Sequence, residues 1–195
     1  MLERDSALRG ERIHGKFGAN SENPGITLQE IKDFSYLEIA LWEGIAGPLQ
    51  TRLGELLGIA ALPEPGRMSP LQGGVLLRLE DDRLAYLGAP GAADILAATI
   101  TAEEGAILDL SHGHCLLRLG GAHAAELLAR GIRLDLRPAA FPVKTVVETD
   151  IGGLPLLLMR PGAAEYDLLL ARSRAIHLWR WLTRRAAQFG YEVRA

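Results

Sequence analysis

Between residues 143 and 171 the sequence runs VKTVVETDIGGLPLLLMRPGAAEYDLLLA. Its apolar segments, VKTVVETDI, LPLLLM and EYDLLLA, are too short for ordinary helices, and Gly152–Gly153 and Pro161–Gly162 separate them. Short apolar runs bounded by glycine and proline pairs read as strands joined by tight turns. This stretch commits the second half of the chain to a sheet.

The neighbouring segments extend that unit. AILDLS and CLLRLG read as strands around HGH, and AHAAELLARG reads as a short helix ending at Gly131. A final helix is expected from about Arg174 to Phe189, with Ser173 in place to cap it. Together these form a lobe over residues 105–195.

A first lobe is expected over residues 25–104. ITLQEI and SYLEIALW alternate as strands do, and GPLQTRLGELLG reads as a helix. Pro48 suits its first turn, Gly58 its exit, and Leu49, Leu53, Leu56 and Leu57 form its apolar stripe. LPEPGRMSP reads as a loop, because its three prolines lack the donor that a ladder or helix needs. VLLRLEDDRLAYLG is a hairpin turning at Glu80–Asp82, and GAADILAAT is a short helix. The order β-α-β-β-α predicts an open, mostly antiparallel, ferredoxin-like sheet with helices on one face. The fold class expected for the chain is therefore α+β in two lobes. Residues 1–24 are polar and glycine-containing, end in Asn-Pro-Gly, and form an extended arm that is either disordered or laid along a neighbour.

Composition removes several classes of function. A net charge of -3 gives no overall attraction to nucleic acid or to a membrane surface. One cysteine excludes an internal disulfide framework and suits a reducing compartment. No apolar run approaches the ~20 residues of a membrane span, and the charged start does not resemble a secretory leader.

The densest group of reactive side chains is ILDLSHGHCLL, residues 107–117. His112, His114 and His123 have H-x-H-x8-H spacing, which a strand could present to a metal, but Ser111 and Gly113 favour a turn that breaks the alignment. Cys115 and His114 are adjacent and would point to opposite sheet faces, so they make a poor nucleophile and base, and a buried apolar cysteine is expected. Asp109 and Ser111 are expected to cap local backbone groups.

In the last helix Ala175, Leu178, Trp179, Leu182, Ala186 and Phe189 share one arc. Trp181 falls off its centre, near Arg174, His177 and Arg185. A tryptophan among arginines is either a partner anchor or a rim residue packed under its own arginines.

The second lobe resembles the gamma subunit family of heterotetrameric sarcosine oxidase. DLSHG, LLARGIRLDL and the RS before a tryptophan-bearing helix carry most of the likeness, with SALRG, PGITLQEI and PEPGR agreeing more loosely. That family is itself similar to the folate-binding fold of the glycine-cleavage T-protein. There a strand following a GG turn bears acidic residues, the catalytic carboxylate among them. The matching stretch here is GGLPLLLMR, with Leu156 and Leu157 at the acidic positions. One departure is FPVKT, where Lys144 takes the place of a glycine usual in the family.

The resemblance implies a noncatalytic gamma-type subunit of a bacterial, cytoplasmic complex that oxidatively demethylates sarcosine or a related secondary or N-methyl amine. It implies the large and small subunits as partners. FAD, FMN, NAD, tetrahydrofolate and zinc would reside in them, with no cofactor or metal in this chain. The expected contact positions are 8 and 12 in the arm (Leu8, Arg12), with Lys144, Arg174, Trp181 and Arg185. The alternatives are a free-standing folate-binding or one-carbon transfer protein of the same fold, and a metal-binding module.

Overall fold

A computed structural model describes residues 5–44 and 46–195. Along the described residues the elements are β1 (Gly15–Phe17), β2 (Ile26–Ile31), β3 (Ser35–Leu41), α1 (Ala46–Leu57), β4 (Arg67–Leu71), β5 (Gly74–Arg78) and β6 (Arg83–Gly88). There follow α2 (Pro90–Thr99), β7 (Gly105–Asp109), β8 (His114–Gly120), α3 (Ala124–Leu128), β9 (Val146–Ile151), β10 (Leu154–Gly162), β11 (Glu165–Ala171), α4 (Ala175–Ala186) and β12 (Tyr191–Val193). The fold is α+β with two sheets, and the chain divides into two units, residues 33–112 and residues 1–32 with 113–195.

The unit of residues 33–112 holds a sheet ordered β4-β5-β6-β3-β7, antiparallel throughout. Without the edge strand β4, its order is that of the ferredoxin-like β-α-β-β-α-β motif. Leu49 and Leu53 of α1 and Ala93 and Leu96 of α2 bury against Leu37, Ile39, Leu76 and Leu84. The side chains of Leu56 and Leu57, expected on the same stripe, lie outside the described residues. Gly58 has φ +65°, as a helix exit requires. Part of the expected proline loop is a strand, since Pro70 sits in β4, which pairs on one side only and can spare the donor.

The other unit carries the sheet β1-β12-β2-β8-β11-β10-β9. One of its faces packs on α3 and α4 through Leu117, Leu119, Leu156, Leu158, Leu168, Leu127, Leu178 and Leu182. Gly152 and Gly153, with φ +60° and +82°, make the two-residue turn from β9 to β10, whose twist matches that of the strands.

These boundaries differ from the expected 1–24, 25–104 and 105–195. ITLQEI, placed in the first lobe on sequence, pairs with β8 and β12 in the other sheet, while AILD supplies the fourth ferredoxin-like strand as β7. Alternation tells a strand which face is apolar and does not name its neighbour. The last helix starts at Ala175 after a 3-10 turn over Arg172–Arg174, with Arg174 at its N-cap position and no side-chain cap, so Ser173 does not cap it.

Candidate functional site

The arm, the turn at Lys144 and helix α4 all belong to the discontinuous unit. The expected arc of α4 is its buried face: Ala175, Leu178, Trp179, Leu182 and Ala186 are buried, and Phe189 packs at their edge. Trp181 is half-buried at the rim, with the Arg185 guanidinium 4.3 Å from its ring centroid. A Cβ on Gly131 would stand 2.5 Å from Trp181 Cζ2 and 2.8 Å from Ile151 Cγ1. The indole therefore rests on the backbone leaving α3, and only a glycine there permits it. Its geometry is that of a rim tryptophan under its own arginine.

The arm is docked within its own unit. Leu8 is fully buried in the core beside the sheet. Glu30, buried on β2, accepts hydrogen bonds from Ser6 Oγ (2.5 Å) and the Ala7 N–H (3.0 Å), and Arg12 Nη1 lies 3.2 Å away. Arg180 of α4 grips Glu11 through two bonds of 3.0 and 2.5 Å, which hold the Glu11 carboxyl below its usual pKa. Leu8 and Arg12, expected to face a partner, instead tie the arm to this chain. One buried leucine and the polar contacts at Glu30 and Glu11 make that docking, too little for periodicity to reveal.

Lys144 keeps a glycine-type backbone, with φ +67°. Its N–H donates to Arg160 O (2.8 Å), and the Arg160 N–H donates to Thr145 O (3.0 Å), so the turn is retained despite the lysine. Lys144 and Arg174 are both exposed.

The SHGH segment is a turn. Ser111–Gly113 forms a 3-10 turn between β7 and β8. Asp109 Oδ1 accepts from the Ser111 N–H (2.9 Å) and Oγ (2.5 Å), and Ser111 Oγ accepts from the Tyr36 N–H (3.0 Å). His123 stacks on Phe189 with centroids 4.7 Å apart and its Nδ1 3.2 Å from Glu126. Among the described residues no group of three His, Cys, Asp or Glu side chains is placed to hold a metal. Cys115 is buried in the apolar core. Leu156 lies in the same core, and Leu157, one residue on, is buried as well. No helix of the described residues is long and apolar enough to cross a membrane.

A curated relative, sarcosine oxidase subunit gamma of Corynebacterium sp. (strain P-1), is 33% identical over 147 residues, which are 69% of this chain and 72% of the relative. The chain belongs to the sarcosine oxidase gamma subunit family. The model of the sarcosine oxidase, gamma subunit family matches residues 95–188. A second gamma subunit, from Arthrobacter sp, is 27% identical, with 97% of this chain and 95% of that protein covered. A chain of the heterotetrameric sarcosine oxidase from Corynebacterium sp. U-96, solved in complex with pyrrole 2-carboxylate, superimposes with a TM-score of 0.75 at 28% identity, covering 84% of this chain and 85% of that one. The glycine cleavage system aminomethyltransferase T from Bartonella henselae shares the fold, with a TM-score of 0.60 at 21% identity over 85% of this chain and 50% of that chain. Gamma-subunit membership and a T-protein-like fold thus agree with the family and fold expected from DLSHG and the segments after it.

Proposed function

We propose that this gamma-family chain is a noncatalytic subunit of a cytoplasmic, heterotetrameric sarcosine oxidase-like complex that oxidatively demethylates sarcosine or a related secondary or N-methyl amine. Its role is assembly and structural support. The observation that carries this is the pair Leu156 and Leu157 on β10, buried hydrocarbon at the positions where the T-protein pattern bears acids. A leucine can neither accept a proton nor orient a folate amine. Large and small subunits are the partners, and FAD, FMN, NAD, tetrahydrofolate and zinc are theirs to hold. Exposed Lys144 and Arg174, with half-buried Trp181 and Arg185, are the contact positions toward them. Leu8 and Arg12 are not among these positions, because they are engaged within the chain.

The test is co-expression with the neighbouring subunits followed by purification of the complex and of the lone chain. The lone chain should turn over no amine and bind no reduced folate in a calorimetric titration, while the co-expressed chain elutes with its partners. Replacing Lys144→Glu and Arg174→Glu together should weaken assembly at least tenfold without altering the chain's own circular dichroism. Amine turnover or stoichiometric folate binding by the lone chain would overturn the noncatalytic role.

A further inference from the structure

Arg160, on β10, is 5% exposed, and no carboxylate pairs with it among the described residues. Its Nη1 donates to Phe141 O and, at 3.5 Å, to Leu136 O; its Nη2 donates to Ala163 O at 2.7 Å. The guanidinium carbon lies 5.4 Å from the centroid of the Tyr166 ring. Arg160 Nε and the Tyr166 hydroxyl are buried with no hydrogen-bond partner. Carbonyl oxygens satisfy hydrogens but do not neutralise the guanidinium charge. A buried, uncompensated cation beside unused donors is costly unless an anion reaches it.

Arg160 and Tyr166 line a cavity of about 430 Å³ within the discontinuous unit. That volume suits a small organic ligand. Its other walls are largely apolar, with Ala125, Ala129, Leu134 and Leu136 among them. Asp135 and Arg137 also line it, and they cancel each other: Asp135 accepts from Arg137 Nε and the Arg137 N–H, at 2.9 and 3.0 Å, and from Nη2 at 2.5 Å. One positive charge, that of Arg160, is left in the lining.

The geometry points to a binding site for a single carboxylate on a short apolar stem, its charge balanced by the Arg160 guanidinium. A carboxylate oxygen can accept the remaining Nη2 hydrogen of Arg160 in a charge-assisted bond. The single charge and apolar walls disfavour a phosphate dianion. The carboxylate comes either from a free monocarboxylic acid or from a partner polypeptide's side chain or C-terminus. The site does not depend on the noncatalytic role proposed above.

Butyrate and its neutral isostere butyramide, titrated into the purified full chain at constant ionic strength, test the site by thermal unfolding. Butyrate should raise the unfolding temperature saturably and butyramide should not. Ala164→Leu, which adds bulk to the lining while leaving Arg160 intact, should lower butyrate affinity at least tenfold. Arg160→Met should abolish binding, and Ala164→Leu decides the matter if that variant fails to fold. In the assembled complex, continued butyrate binding identifies a free acid as the ligand. Loss of binding on assembly, with assembly itself weakened by butyrate and by Ala164→Leu, identifies a partner's carboxylate. Equal responses to butyrate and butyramide, or no response to butyrate in either chain or complex, would overturn the site.

Discussion

Arg12 Nη1 lies 3.2 Å from Glu30 Oε2, with both side chains largely out of solvent, and this pair pins the N-terminal arm to the sheet. Ser6 and Ala7 donate to the same carboxylate. Glu30→Ala would leave these donors and the guanidinium without their acceptor, so a loss of about 3 kcal/mol is expected from breaking a buried pair. Urea unfolding measures the loss, and amide exchange at residues 6–12 should accelerate in the same variant. An arm that stays protected would show that Leu8 and the Arg180–Glu11 pair hold it without Glu30.

Lys144 occupies a left-handed backbone region that costs a non-glycine residue ~1–2 kcal/mol. Part of that is returned on substitution by glycine, whose unfolded chain is freer. Lys144→Gly should therefore stabilise the chain by up to about 1 kcal/mol, or roughly 2–4 °C in unfolding temperature for a chain of this size. Lys144→Val, branched at the same φ, should move the temperature the opposite way. A calorimetric scan of the three proteins decides it.

Gly131 and Trp181 form a tight contact in which a methyl group has no room. Gly131→Ala should cost about 2 kcal/mol by overpacking. Combined with Trp181→Leu, the two losses should sum to less than their separate values, because the indole that clashes is gone. Denaturant unfolding of the double-mutant cycle gives the coupling; strict additivity would mean that the indole does not rest on this backbone.

Glu104 accepts from both Nη atoms of Arg52, at 2.7 and 2.6 Å, and from the Thr101 N–H, and these donors pull its pKa down from 4.5 to about 2. A depressed folded-state pKa adds stability that is fully present above the unfolded value and is lost as the pH falls toward the folded one. The window is thus from about pH 4.5 down to about pH 2. Asp135, held at about 2 chiefly by hydrogen bonds from the Arg137 side chain, titrates over a similar range. Unfolding temperature should fall across that window in the parent chain, and Glu104→Gln should flatten the slope. An unchanged slope would mean that the Arg52 contact does not persist in solution.

Local chemistry made much of this molecule legible. The GG turn forces positive φ on Gly152 and Gly153, the arc of α4 is buried as its spacing requires, and Asp109 with Ser111 closes the SHGH turn through bonds two residues apart. Each of these is a relation between near neighbours in sequence, where propensity and hydrogen-bond reach are enough.

What only the tertiary structure decided are relations between distant segments. Alternation marks ITLQEI as a strand, but its pairing with β8 and β12 depends on closing loops of many tens of residues, and no local pattern encodes that choice. The same holds for Leu8, Arg12 and Glu30, for the indole seated on Gly131, and for Arg160, a lone arginine after LLLM that becomes a buried charge only when the hairpin, α3 and the segment around Leu136 enclose it. Amino-acid order specifies which groups are apolar, charged or turn-forming; the folded packing specifies which of them meet.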